Sequence, residues 1–208
     1  MFNLSRTTFY SIGCAMIPCV LYMIFCGRKR GSLHNIWVFV FLLYLWQVYD
    51  VTGIGTLSDI LNRPEGSINP SFFQGTINLI PFTGLDYKFV LNIIMCVPLG
   101  FLVPFIWKDC RKISRTVLLG AGFSLMIELS QLITTRATDI DDWIANTCGV
   151  LLGYFVWKIF MFFCGMHLKQ SISGKAEVII YIGLSFLGMF FLYHPFWFEL
   201  HVAPLIWG

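Results

Sequence analysis

The chain has 208 residues, of which 57% are hydrophobic and 12% are charged, and its formal net charge is +3. Soluble domains carry about 25% charged residues, and a chain of this length buries only part of its surface, so the composition excludes an ordinary soluble domain. No basic stretch alternates with aromatic residues, which argues against a nucleic-acid partner.

Six apolar segments approach the length of roughly 20 residues that a helix needs to cross a bilayer. In chain order they cover residues 9–26, 34–51, 87–107, 116–133, 142–166 and 176–193. The sequence therefore predicts an all-α fold, a polytopic transmembrane helix bundle with about six spans. No second domain is indicated, so residues 1–208 are expected to form a single membrane domain.

Lys and Arg are concentrated in three connections between these segments, at residues 28–30, 108–115 and 169–175. In a six-span scheme these connections lie on one side of the membrane, whereas most Asp and Glu residues lie on the other side. Because cytoplasmic loops carry an excess of Lys and Arg, the basic connections are predicted to be cytoplasmic and both termini to lie outside.

One long connection, residues 53–86, lies on the predicted outer side. It contains turn signals at residues 62–66 and 69–70 and apolar stretches at residues 72–73 and 77–82. Loops of this length in compact proteins are often functional. The apolar stretches indicate a segment that lies in the membrane interface or re-enters the membrane.

The fourth segment carries polar residues that lipid should exclude. Ser124, Glu128 and Gln131 are spaced i, i+4 and i+7, so they share one face of a helix. An ionised carboxylate within the apolar core is costly and needs either a partner or a proton. Glu128 is therefore a candidate functional residue.

The fifth segment repeats this pattern with Asp142, Asn146, Gly149 and Gly153. Since the turn between the two segments is short, their helices should be antiparallel neighbours whose polar faces meet near the outer surface. Gly149 and Gly153 form a small-xxx-small pair that allows close helix packing. Thr138 is predicted to be the N-cap of the fifth helix.

Together these residues predict a ligand-binding site in the outer half of the membrane, which two earlier Asn residues could join. The predicted ligand-binding residues are Asn78, Asn92, Glu128, Gln131, Arg136, Asp139, Asp142 and Asn146. Simpler interpretations stay open. The aspartates could only cap a helix, Arg136 could only be their salt-bridge partner, and the whole cluster could be a clasp between helices.

No catalytic residue, metal site or cofactor is predicted. The four histidines lack the spacing of metal ligands, and the seven cysteines are not paired as C-x-x-C. The sequence also contains no nucleophile elbow, no phosphate-binding glycine loop and no H-E-x-x-H motif.

The pattern over residues 76–160 resembles the VanZ family of small bacterial membrane proteins. The resemblance rests on Asn-Leu-Ile-Pro-Phe at 78–82, Pro-Leu-Gly at 98–100, Ser-x-x-x-Glu-x-x-Gln at 124–131 and Arg-x-x-Asp-x-x-Asp-x-x-x-Asn at 136–146. The helices within residues 9–51 and the helix at 176–193 are expected to be additions to this core. The resemblance implies a multi-pass protein of the bacterial plasma membrane.

The namesake of the family is associated with low-level resistance to the glycopeptide antibiotic teicoplanin, and no reaction is firmly attached to the family. The resemblance and the polar cluster together favour a non-enzymatic protein whose outer site binds or shields a lipid-linked cell-envelope component. The expected partners are membrane lipid and either a lipid-linked cell-wall precursor or the glycopeptide itself. Two alternatives stay open: a membrane enzyme acting on a lipid phosphate or headgroup, and a proton-coupled carrier.

Overall fold

The computed structural model describes residues 4–26, 31–62, 76–82, 86–134, 136–164 and 174–207. The turn signals predicted at 63–66 and 69–70, the apolar pair at 72–73, the basic residues at 28–30 and 169, and the predicted helix end at 165–166 lie outside these residues. The helices in the first half of the chain are α1 (Leu4–Cys26), α2 (Ser32–Thr52), α3 (Leu57–Leu61) and α4 (Tyr87–Ile106).

The second half of the chain is also mainly helical. Its helices are α5 (Ile113–Gln131), α6 (Ile140–Cys164), α7 (Lys175–Leu192), α8 (Pro195–Trp197) and α9 (Ala203–Trp207), with a π-helical stretch at Phe198–Val202 and a 3-10 turn at Lys108–Cys110. Two short strands, β1 (Ile77–Asn78) and β2 (Thr138–Asp139), pair in parallel, with Ile77 opposite Thr138.

Five of these helices, α1, α2, α4, α5 and α6, are long and apolar enough to cross a membrane. The helix α7 and the segment Pro195–Ile206 form a pair bent by 55°, which brings the number to six if the pair is one span. The predicted transmembrane helical fold is confirmed, and the chain is a multi-pass membrane protein. The helix α1 begins at Leu4 rather than at residue 9, because a helix continues past the point where its apolar stretch begins.

Local signals explain where the site-bearing helices begin and end. The side chain of Asp86 caps α4 by accepting a hydrogen bond from the backbone N–H of Lys88 at 2.9 Å. Gly53 ends α2 in the left-handed conformation, with φ of 60°, and its N–H donates to the carbonyl of Tyr49. Both ends border the site described below.

The helices α4 and α6 pack most extensively against each other, and glycines at their crossing allow this. A Cβ atom added to Gly153 would lie 2.0 Å from the carbonyl oxygen of Val97, and one added to Gly149 would lie 2.2 Å from the carbonyl oxygen of Ile93. Gly100 on α4 approaches α6 in the same way. The close packing expected of the pair of glycines on α6 is therefore present in the fold.

The core and the outer surface are both apolar. Val38, Phe41 and Leu42 of α2 are completely buried inside the bundle, whereas Leu118 and Phe162 are among many large apolar side chains on its surface. Such a surface would aggregate in water and suits lipid as the surrounding medium.

The end of the bundle that is far from the site is held by a buried polar group. Glu177 of α7 accepts a hydrogen bond from the indole N–H of Trp107 at 3.0 Å and pairs with the imidazole of His34 at 3.2 Å. All three side chains are buried. This cluster ties α2 and α7 to the end of α4.

Candidate functional site

The connection between α5 and α6 organises the site. The backbone N–H of Thr138 donates to the carbonyl of Thr76 at 2.8 Å, next to the β1–β2 pair. The hydroxyl of Thr138 donates to the carbonyl of Glu128 at 3.0 Å. The prediction that Thr138 caps α6 is therefore wrong, because its extended backbone turns the hydroxyl toward α5. Asp139 takes this role, since its side chain accepts from the N–H of Asp141 at 3.0 Å.

Glu128 lies at the end of α5 and is only 4% exposed. Its Oε2 atom accepts a hydrogen bond from the backbone N–H of Asp139 at 3.2 Å. Among the described residues, no donor lies within hydrogen-bond distance of its Oε1 atom. One oxygen of this carboxylate therefore supports the loop, and the other is open to the cavity beside it.

Asn146 joins three helices. Its amide nitrogen donates to the hydroxyl of Ser124 on α5 at 2.9 Å, and its carbonyl oxygen accepts from the thiol of Cys96 on α4 at 3.3 Å. Both polar ends of this buried side chain are thus used within the protein. For Asn146 the clasp interpretation fits the geometry, although the side chain also borders the cavity.

Asn92 and Asp142 connect α4 to α6 closer to the surface. The amide nitrogen of Asn92 donates to Oδ1 of Asp142 at 2.6 Å. Both side chains are half-buried. The carbonyl oxygen of Asn92 and Oδ2 of Asp142 have no hydrogen-bond partner in the part of the chain that the structure describes.

Asn78 lies beside the cavity and supports its wall. Its amide nitrogen donates to Oδ2 of Asp139 at 3.2 Å, and its carbonyl oxygen accepts from the N–H of Ile80 at 3.3 Å. The N–H of Phe82 donates to Oδ1 of Asp141 at 2.8 Å. These bonds fix residues 76–82 against the start of α6.

Gln131 and Arg136 both bind the end of α2. The amide nitrogen of Gln131 donates to the carbonyl of Thr52 at 2.9 Å, and the guanidinium of Arg136 donates to the same oxygen. A Cβ atom at Gly53 would lie 2.7 Å from this guanidinium, so a larger residue at this position would force the guanidinium to move. Within the described residues Arg136 has no salt bridge, which removes support for its interpretation as the partner of the aspartates.

A cavity of about 480 Å³ lies between these groups. Seven of the eight predicted site residues line it: Asn92, Glu128, Gln131, Arg136, Asp139, Asp142 and Asn146. Their role in binding a ligand stays a prediction. A second cavity of about 250 Å³ lies on the other side of Arg136, bordered by Asp59 of α3 and by Tyr193.

The lining includes three charged residues that sequence reasoning did not place in the site: Asp86, Lys88 and Asp141. Five carboxylates and two cations line the larger cavity: Asp86, Glu128, Asp139, Asp141 and Asp142, with Lys88 and Arg136. The spacing of Lys88, Asn92 and Cys96, i, i+4 and i+8, is a signal that could have placed Lys88 on the same face. Across the described ranges, no three His, Cys, Asp or Glu side chains are arranged to hold a metal ion.

Comparison with known proteins points to one family. The family model described as VanZ/LLP1 matches residues 36–161. Protein VanZ of Enterococcus faecium is 29% identical over an alignment of 126 residues, which covers 59% of this chain and 74% of that protein. No solved structure matches. Because the family model covers more than half of the chain, including the helices that build the cavity, this chain belongs to the VanZ/LLP1 family.

Proposed function

We propose that this protein binds or shields a lipid-linked or amphiphilic cell-envelope component in the cavity between α2, α4, α5 and α6. Binding there lowers the susceptibility of the cell to lipoglycopeptide antibiotics such as teicoplanin. The cavity lies at the outer face, with the basic connections in the cytoplasm and both termini outside. The observation that carries the proposal is a charged cavity that opens beside exposed apolar side chains at one end of a membrane bundle.

The apolar border of the cavity suits an amphiphile. Leu79 is 70% exposed and Phe82 is 60% exposed, and both belong to the segment that Asp139 and Asp141 hold against α6. Apolar side chains held rigidly at the end of a bundle are suited to the boundary between headgroups and acyl chains. A ligand there keeps its tail in lipid while its headgroup enters the cavity.

Arg136 is the group that would meet an anionic headgroup. It is exposed, has no carboxylate partner among the described residues, and is oriented by the carbonyl of Thr52. A guanidinium offers a planar set of donors that matches phosphate and carboxylate geometry. Holding the side chain in place before binding lowers the entropy lost when the ligand arrives.

We favour a non-enzymatic role for two reasons, the structural use of some carboxylates and the composition of the lining. Both oxygens of Asp139 accept hydrogen bonds that hold the loop, and Glu128 uses one oxygen in the same way. Among the described residues, Glu128 and Asp142 each keep one unpaired oxygen, but those that line the cavity include no His, Cys, Ser or Tyr side chain that could share acid–base work with them. Purified protein is expected to leave labelled polyprenyl phosphate lipids unchanged, with or without divalent metal ions.

The proposal is tested by teicoplanin susceptibility of bacteria that express the chain. Arg136→Ala and Glu128→Gln should each lose the tolerance that the wild-type chain confers, at equal amounts of protein in the membrane. Lys112→Ala is the matched control, because Lys112 is an exposed cation at the opposite end of α5 and makes no side-chain capping bond. Tolerance that persists in Arg136→Ala, or a wild-type chain that confers none, would contradict the proposal.

A further inference from the structure

On the buried side of the larger cavity, two polar side-chain atoms without a hydrogen-bond partner among the described residues are both acceptors. Glu128 and Gln131 are 4% and 6% exposed. Oε1 of Glu128 and Oε1 of Gln131 face no hydrogen-bond donor among the described residues, and neither atom is sealed away inside the protein. Both are acceptors, and both belong to side chains that line the cavity.

Within the described ranges, the half-buried pair of Asn92 on α4 and Asp142 on α6 also leaves only acceptor atoms unpaired. The amide nitrogen of Asn92 is used on Asp142, which leaves the carbonyl oxygen of Asn92 and the second oxygen of Asp142. The amide orientations follow from their partners. The carbonyl of Thr52, which binds Gln131, and a carboxylate can only accept, so the nitrogen of each amide must point to them.

The exposed side of the cavity differs, because it carries two cations beside one exposed carboxylate, Asp86. Lys88 and Arg136 are both exposed, line the cavity and make no salt bridge within the ranges that the structure describes. Cations at the rim and acceptors behind them are complementary to a headgroup with two parts. Its outer part is an anion, and its inner part donates hydrogen bonds.

We propose that the occupant of this cavity is a lipid whose phosphate meets Arg136 and Lys88 and whose headgroup donates N–H or O–H bonds to Glu128, Gln131 and the Asn92–Asp142 pair. This inference rests on the proposed function and specifies its ligand. A volume of about 480 Å³ holds a headgroup and not two acyl chains, so the chains stay in the bilayer. A headgroup without donors leaves buried acceptors unpaired, and such acceptors are costly.

The matched probes are phosphatidylethanolamine and phosphatidylcholine with identical acyl chains. They have the same net charge and the same phosphate, and they differ in whether the terminal nitrogen carries N–H donors. Phosphatidylglycerol adds a headgroup that donates only through hydroxyls. Because it also carries a net negative charge, only the part of its preference that Glu128→Gln removes is assigned to hydroxyl donation. Binding of each lipid to the purified full chain is measured by native mass spectrometry, with monodisperse protein from size-exclusion chromatography.

The wild-type chain should bind phosphatidylethanolamine, phosphatidylglycerol or both about tenfold or more tightly than phosphatidylcholine, the factor expected for one hydrogen bond to a charged group. Comparison of the two favoured lipids shows whether ammonium or hydroxyl donors fit. Glu128→Gln should remove most of this preference, because the new amide can still accept from Asp139 while its N–H₂ group faces the cavity. Asp142→Asn tests the same reasoning independently if Glu128→Gln does not fold.

Arg136→Ala should weaken all three lipids by a similar factor, and Lys112→Ala should change none of them. Arg136-dependent binding of phosphatidylcholine that is as tight as that of both phosphatidylethanolamine and phosphatidylglycerol would overturn this inference and leave the proposed function standing. Absence of any saturable, Arg136-dependent phospholipid binding would also overturn it. The proposed function is then decided separately by the susceptibility of the Arg136→Ala and Glu128→Gln strains.

Discussion

Substitution of Gly153 by Ala should destabilise the bundle, because α4 and α6 are in backbone contact at this glycine. The added Cβ would lie 2.0 Å from the carbonyl oxygen of Val97, whereas ordinary contact begins at 3.4 Å. The two helices must therefore separate locally by more than 1 Å or bend. Overpacking of this kind costs about 1–3 kcal/mol. The separation should also strain the 2.6 Å hydrogen bond between Asn92 and Asp142, which joins the same two helices.

The free energy of unfolding in mixed micelles, measured by titration with a denaturing detergent, gives the size of this effect. The matched control is Gly122→Ala on α5, since a Cβ at Gly122 meets no atom within 4 Å. Alanine in a helix is favoured over glycine by about 0.8–1 kcal/mol, so this control should be neutral or slightly stabilised. Equal stability of the Gly153→Ala and Gly122→Ala proteins would refute the close approach of α4 and α6.

Three further predictions concern the site. Single and double alanine variants of Ser124 and Asn146 should show a coupling free energy of unfolding of about 0.5–1.5 kcal/mol, because their hydrogen bond is buried; additive effects would argue against the clasp. Gly53→Ala should reduce teicoplanin tolerance as Arg136→Ala does, because the new Cβ lies 2.7 Å from the guanidinium and the left-handed φ is strained; normal tolerance at normal expression would contradict this. In a background without native cysteines, a membrane-impermeant maleimide added to intact cells should label Arg136→Cys and not Lys112→Cys, because the proposed topology places the basic connections in the cytoplasm. The reverse pattern would invert the topology.

The helices of this protein were predictable because their hydrogen bonds are local. In lipid, each backbone N–H and C=O must be satisfied within its own segment, so an apolar stretch of sufficient length marks a helix. The predicted segments accordingly coincide with α1, α2, α4, α5, α6 and α7. The shared face of Ser124, Glu128 and Gln131 was equally readable, since it follows from helix periodicity alone.

The partners of these polar side chains were not predictable from spacing. The carbonyl of Thr52, which binds both Gln131 and Arg136, is separated from them by 79 and 84 positions along the chain. The misplaced cap at Thr138 has a related origin. Its backbone pairs in parallel with residues near Ile77, and no local signal announces a two-residue strand that forms only with a distant partner.

By itself, the sequence determined that lipid surrounds this protein, where its helices lie, and which of its polar residues lipid should exclude. These properties follow from composition and from periodicities of a few residues. Only the tertiary structure decided which polar atoms are consumed between helices, as in Asn146, and which stay open toward the cavity, as in Glu128. That division depends on distances between segments remote in sequence, because a hydrogen bond is satisfied by geometry and not by residue type.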